Sequence, residues 1–233
     1  MKPDVMNQSP LVNATLTIRI DSYWHAGTGR GRSFEIDSVV HRDNLGLPAL
    51  PGRSVKGLLR DAIAGAEALG WYAELPGKEA GTSTVEHQLF GPRGDGVITY
   101  PGWLFVSDAR LPRDLLAEFA RDVELSQKDR EPLRRRLFSN LFSTAISLDT
   151  GSSTSKSLRG TEVAVPMTLT ADLTINPTAN PHPPVCMTPA EAAASARTAL
   201  ENIKLALPLI RGVGSARHRG MGRAVFTIVE QTT

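Results

Sequence analysis

The chain has 233 residues, 41% of them hydrophobic, enough to build a substantial core without help from another chain. A net charge of only +2 excludes a global cationic field, so a polyanionic partner must be met by local clusters, which occur at Arg30/Arg32, Arg53/Lys56/Arg60, Arg134/Arg135/Arg136 and Arg211 through Arg223. The single cysteine, Cys186, excludes an internal disulfide and a cysteine-built zinc site; with no long apolar run and a polar stretch from Met1 to Pro10, the expectation is a cytoplasmic protein without membrane span or signal peptide.

In chain order, Ala14 to Asp21 alternates with period two and predicts a first strand. Residues 25 to 47 are rich in Gly, Arg and Asp with little periodicity and predict a long loop, of a kind that is usually functional or disordered. From Ser54 to Leu69 the apolar positions Val55, Leu58, Leu59, Ala62, Ile63, Ala66 and Leu69 recur at three and four residues, which predicts a helix that Ser54 can cap. Residues 74 to 84 read as an excursion, Gly102 to Ala109 as a strand, and Asp114 to Val123 and Asp129 to Phe142 as helices. Ala145 to Asp149 predicts a short strand leading into the hydroxyl-rich run Thr150 to Ser157, which offers no core residues and should protrude. Glu162 to Ile175 reads as one long strand, Pro177 to Pro184 as a connector, Pro189 to Leu207 as a helix capped by Thr188, and Arg223 to Glu230 as a last strand. This order predicts an α+β sandwich of the ferredoxin-like kind in a single domain over residues 1 to 233, with insertions.

Two segments are suited to phosphate. Gly212-Val213-Gly214-Ser215-Ala216-Arg217-His218-Arg219-Gly220-Met221-Gly222-Arg223 sets bare backbone amides beside guanidinium forks, although a solvated basic turn has the same composition. Pro48-Ala49-Leu50-Pro51-Gly52-Arg53-Ser54-Val55-Lys56-Gly57 runs from a turn into a helix whose first amides favour an anion. It is not a nucleotide P-loop, because Leu58 and Leu59 follow Gly57 where Lys and a hydroxyl are required. No Gly-x-Ser-x-Gly elbow occurs, and His25, His41, His87, His182 and His218 lack metal-ligand spacing. Tyr23 and Trp24 suit base stacking or core packing alike. Asp37, with Arg30, Arg32, His41 and Arg42 nearby in sequence, is either a salt-bridged loop carboxylate or a group able to act as general base or hold a divalent ion at a phosphate.

Taken together, Ile36-Asp37-Ser38-Val39-Val40, the Pro-Gly segment, Leu89-Phe90-Gly91 and the terminal Gly-Arg loop resemble the RAMP superfamily of CRISPR-associated proteins, specifically the repeated backbone subunit of type III effector complexes. The resemblance spans most of the chain and departs from the family pattern at Ser38-Val39, where Ser-Pro is usual, and at Arg53, where Ser is usual. It implies an RRM-like core and a protruding β-hairpin thumb over about residues 145 to 162. It further implies partnership with CRISPR RNA, complementary target RNA, other copies of the chain and other subunits, with no membrane partner. By this resemblance Asp37 is the catalytic residue of a metal-dependent endoribonuclease and holds a divalent metal, Mg2+ being the expected ion. Arg30, Arg32, Arg53, Ser54, Lys56, Lys156, Arg159, Gly214, Arg217, His218, Arg219, Gly220 and Arg223 are the expected RNA contacts, converging in one cationic groove. An inactive guide-binding scaffold, a metal-independent endonuclease maturing precursor CRISPR RNA with His25 or His41 as acid or base, and a small-anion module using the same loops are the alternatives.

Overall fold

The alternation of the first predicted strand is realised in β1 (Val12–Ile20), where Ala14, Leu16, Ile18 and Ile20 are all buried. The computed structural model describes residues 11–29, 37–72, 84–93, 101–121, 134–154, 157–179 and 187–231. The expected excursion at 74 to 84 falls almost wholly outside them, as do Arg30, Arg32, Lys156 and most of the Pro-rich connector. Along the chain β1 is followed by α1 (Gly52–Ala68), α2 (Val85–Phe90), β2 (Leu104–Val106), α3 (Arg113–Arg121), β3 (Phe138–Ser143), β4 (Arg159–Ala164), β5 (Met167–Ile175), α4 (Pro189–Ala206) and β6 (Ala224–Glu230).

Strands β2, β5, β1 and β6 form, in that order, a four-stranded antiparallel sheet. Numbered as the core strands of a βαββαβ unit, this is the split βαβ arrangement of the ferredoxin-like fold, as expected. Register puts the inward residues in rows: Leu16 stands opposite Ala171 and Ile228, and Ile18 opposite Leu169 and Phe226. Helix α1 buries Val55, Leu59, Ala62, Ile63 and Ala66, and packs against α4, whose Ala192, Ala196, Ala199 and Ala206 allow close approach. Thr188 caps α4 through a reciprocal box with Glu191, and Pro189 occupies the first helical position, where its missing N–H costs nothing.

Two expectations fail. Phe138–Ser143, the end of the supposed helix from Asp129 to Phe142, is a strand paired with β4 from Phe138↔Ala164 to Ser143↔Arg159. Phe138, Leu141 and Phe142 recur at helical spacing, but so short a pattern is ambiguous and cross-strand pairing decided it. The supposed strand from Glu162 to Ile175 is two strands in different sheets, broken between Ala164 and Met167, where Pro166 has no N–H to give to a ladder. The hairpin formed by β3 and β4 starts at Phe138 and ends at Ala164. Ala145 to Asp149 forms only a single bridge within its tip, Ile146 with Ser153, and Leu141, Phe142, Ile146, Leu148 and Leu158 are exposed along it.

Candidate nucleic-acid interface

Beyond Ile20 the chain stays extended as Tyr23–Thr28, and this short segment organises the site. On one edge it receives the Gly-rich loop: Gly222 N–H donates to Tyr23 O at 2.7 Å and Ser215 N–H to His25 O at 2.8 Å. On the other edge Trp24 exchanges main-chain hydrogen bonds with Ala164 at the end of β4, and His41 N–H donates to Ala26 O at 2.7 Å. Of residues 25 to 47, read as loop, the described parts 25–29 and 37–47 carry bridges, with Gly27 paired to Val40 and Arg42 to Pro48. Trp24 is wholly buried with its indole N–H on Val165 O, so it packs in the core and cannot stack on a base, whereas Tyr23 is exposed.

Glycine is required at position 214. Its φ is +72°, and a Cβ there would lie 2.3 Å from His25 O, so only a bare backbone lets the loop close on the Tyr23–Thr28 segment. Ala216 is also left-handed, at φ 55°, a conformation that costs an L-residue about 1–2 kcal/mol. It starts the 3₁₀ turn Arg217–Arg219 that ends at Gly220 (φ 81°). Arg211, Arg217, His218, Arg219 and Arg223 are all exposed, and none forms an ion pair with a described residue. Guanidinium groups held on a constrained loop, with no ion-pair partner among the described residues, are available to an external anion.

Asp37 lies at the β4 side of the β3–β4 hairpin. Its N–H donates to Gly160 O at 2.9 Å, and its Oδ2 accepts from Gly160 N–H at 3.2 Å. The side chain is otherwise exposed, with its second oxygen unpartnered among the described residues, and Arg159 precedes Gly160. Ser38 continues the pairing as a parallel bridge to Thr161, and Glu162 N–H donates to Ser38 O. Among the described residues no group of three or more His, Cys, Asp or Glu side chains could form a metal cage. The unpartnered carboxylate oxygen of Asp37 is a donor suited to a hard, oxygen-seeking cation.

The structure places His25, a candidate acid or base from sequence, in the interior. It is buried, its Nδ1 sits 2.6 Å from Glu162 O and its Nε2 2.8 Å from Ser38 Oγ. In the neutral ring Nδ1 carries the proton and donates to the carbonyl, which only accepts, and Nε2 accepts a hydrogen bond from the Ser38 hydroxyl. Sequence reasoning missed this network and its centre, Glu162, whose buried carboxylate accepts from Val40 N–H and Arg42. An acid beside Val163 and Ala164, both fully buried, was the available signal.

The start of α1 behaves differently from its sequence reading. The helix begins at Gly52, and Ser54 is inside it and does not cap it. The Gly52 amide is taken by Asp108 Oδ1 at 2.8 Å, which holds the Asp108 carboxyl below its usual range. The protein thus supplies its own anion at this helix end. Lys56 Nζ donates to Leu104 O at 2.7 Å, and burial lowers its pKa. Arg53 and Ser54 are exposed. This turn sits against β2 at one edge of the sheet, while the Gly-rich loop leads into β6 at the other. They do not touch. They are joined by successive main-chain hydrogen bonds, Ser215 to His25, His41 to Ala26 and Ala49 to His41, a span of about 14 Å at ordinary strand spacing.

The family model of the RAMP superfamily matches residues 17–225, from β1 into β6. In fold the chain is similar to a chain of the type III-B Cmr-beta cryo-EM structure in the apo state, with TM-score 0.57, 12% identity and 94% and 97% of the two chains covered. It is likewise similar to a chain of the type III-B Cmr-beta bound to cognate target RNA, with TM-score 0.59, 12% identity and 93% and 96% covered. No curated protein matches by sequence. Among the described residues no helix is long and apolar enough to cross a membrane. With the match running through every strand of the sheet and both helices that cover it, the chain belongs to the RAMP superfamily.

Proposed function

We propose that this chain is a backbone subunit of a type III CRISPR effector complex, holding CRISPR RNA along the track from the Gly-rich loop to Ala49 and cleaving complementary target RNA at Asp37. The observation that carries the reading is the meeting of an exposed carboxylate with the root of a hairpin, across the Tyr23–Thr28 segment from a loop whose arginines form no ion pair with a described residue, in a chain of this family. Support for the RNA partner comes from the type III-B relative bound to cognate target RNA.

In this reading Arg217, Arg219 and Arg223 hold phosphates by charge and shape, leaving sequence to base pairing. Gly160 fixes one oxygen of Asp37, and the other would hold the cation. When bound, a divalent cation such as Mg2+ supplies Lewis-acid polarisation of the scissile phosphate. The target 2′-hydroxyl would give its proton to solvent as its oxygen bonds the adjacent phosphorus, and the 5′-oxygen would take a proton from solvent as its bond to phosphorus breaks, leaving a cyclic phosphate and a 5′-hydroxyl.

The test is to purify the complex, sequence the RNA that travels with it, and assay labelled target with wild type and Asp37→Ala. A uniform short guide, unchanged assembly and a rate loss of about a hundredfold or more in the variant are expected. Cleavage by Asp37→Ala at the wild-type rate would remove the catalytic role, and heterogeneous RNA would remove the guide-binding role. A guide-binding scaffold that never cuts is the second reading, favoured by the lack of a carboxylate cluster around Asp37 among the described residues.

A further inference from the structure

Glu162 makes four hydrogen bonds into the segment that carries Asp37 and the strand beside it. Its N–H donates to Ser38 O at 3.0 Å, its O faces His25 Nδ1 at 2.6 Å, its Oε2 accepts from Val40 N–H at 3.0 Å, and its Oε1 accepts from Arg42 at 2.7 Å. Arg42 in turn lies with its Cζ 3.8 Å over the ring of Phe138, the first residue of β3. Both strands of the hairpin root are therefore tied to residues within five positions of Asp37.

The identity of this residue calls for a reason. A carboxylate 4% exposed in a strand is costly to bury even when paired, and an apolar residue like the neighbouring Val163 would fill the slot at lower cost. Buried ionic groups of this kind are best attested as devices that select one register over others. Here two extended segments, 37–40 and 160–162, lie side by side in parallel, and a slip by one residue would carry Asp37 away from Gly160. Such a slip would leave the Glu162 carboxylate without the Val40 amide and the Arg42 guanidinium.

We propose that Glu162 is a positioning residue that holds Asp37 in fixed register with the root of the thumb hairpin, so that the cut falls at a constant offset from where the hairpin meets the duplex. This rests on the reading of Asp37 as the cleaving residue. His25 and Ser38 belong to the same device: the His25 ring bridges Glu162 O and Ser38 Oγ, tying the residue next to Asp37 to the hairpin strand.

The experiment uses the assembled complex, end-labelled complementary RNA, and wild type, Glu162→Ala, Glu162→Gln and Asp37→Ala. Glu162→Ala in an assembled complex is expected to cut about a hundredfold more slowly, as for a misplacement of about 1 Å, and to spread its products over neighbouring phosphates. Glu162→Gln keeps one of the two carboxylate hydrogen bonds and is expected to fall between, which also carries the test if Glu162→Ala fails to assemble. Mere destabilisation lowers yield without moving the cut. Sharp products at the wild-type rate from either assembled Glu162 variant would overturn the proposal. If wild type does not cut, the reading of Asp37 fails by itself, and hydrogen exchange decides the positioning role. The amides of Asp37, Val40, Gly160 and Glu162 are expected to exchange at least tenfold faster in Glu162→Gln than in wild type, against unchanged exchange in β1 and β5, and equal exchange would overturn it.

Discussion

Two glycines of the same loop share a left-handed backbone and differ in what surrounds them, which makes them a controlled pair. At Gly214 (φ +72°) a new Cβ would meet His25 O at 2.3 Å and His25 C at 2.8 Å, while at Gly220 (φ +81°) nothing lies within 4 Å. Gly220→Ala therefore costs only the left-handed conformation, about 1 kcal/mol. Gly214→Ala carries the same cost and in addition pushes the loop off the Tyr23–Thr28 segment, breaking the 2.8 Å hydrogen bond from Ser215 N–H to His25 O. A broken hydrogen bond with a newly unsatisfied carbonyl adds about 2 kcal/mol, for a total of about 3 kcal/mol. For a chain of this size that is about 6–12 °C in Tm for Gly214→Ala against about 2–4 °C for Gly220→Ala. Thermal unfolding followed by circular dichroism reads both, and binding of a guide-length RNA reads the consequence, since Arg217 and Arg219 move with the loop. Two variants that melt together would refute the inference that close packing on His25 holds this loop in place.

Gly57 is helical, exposed and uncrowded, so Gly57→Ala should raise stability by about 0.5–1 kcal/mol in a denaturant titration; a lowered midpoint would contradict the uncrowded placement. If RNA runs along this turn, the same methyl should weaken RNA binding. Asp108 has a folded-state pKa depressed chiefly by the Gly52 amide, so its contribution is present above the usual carboxylate range and is lost as pH falls through the folded value. Asp108→Asn should therefore flatten the acid side of the stability–pH curve and cost about 0.5 kcal/mol at neutral pH, and an unchanged acid limb would argue against the cap. Arg217→Gln with Arg219→Gln should lower the slope of log affinity against log salt by about 0.7 for each phosphate of single-stranded RNA that is no longer neutralised. An unchanged slope would take these residues off the RNA.

How far the chain could be read in advance depended on whether a residue's role was local. The rows Ala14-Leu16-Ile18-Ile20 and Val55-Leu59-Ala62-Ile63-Ala66 mark their elements because burial acts on every second or every third and fourth residue. Thr188 was recognisable as a cap because its partner Glu191 lies within the same turn. Ser54 has the right chemistry for a cap and does not act as one, because Asp108, 56 positions from Gly52, reaches the amide first. Phe138–Ser143 carried a helical pattern and became a strand once β4 offered it a ladder.

The sequence alone determined the inward faces of the sheet and its helices, and the composition of the Gly-Arg loop, since these follow from side-chain type and short-range spacing. Only the tertiary structure decided that the loop closes on Tyr23–Thr28, that His25 is sealed in the interior, and that Asp37 stands at the hairpin root beside Gly160, 123 positions away. The physical reason is that a hydrogen bond depends on distance in space and not on distance along the chain. Asp37 and Glu162 owe their setting to strand pairing between segments that nothing local in either one announces.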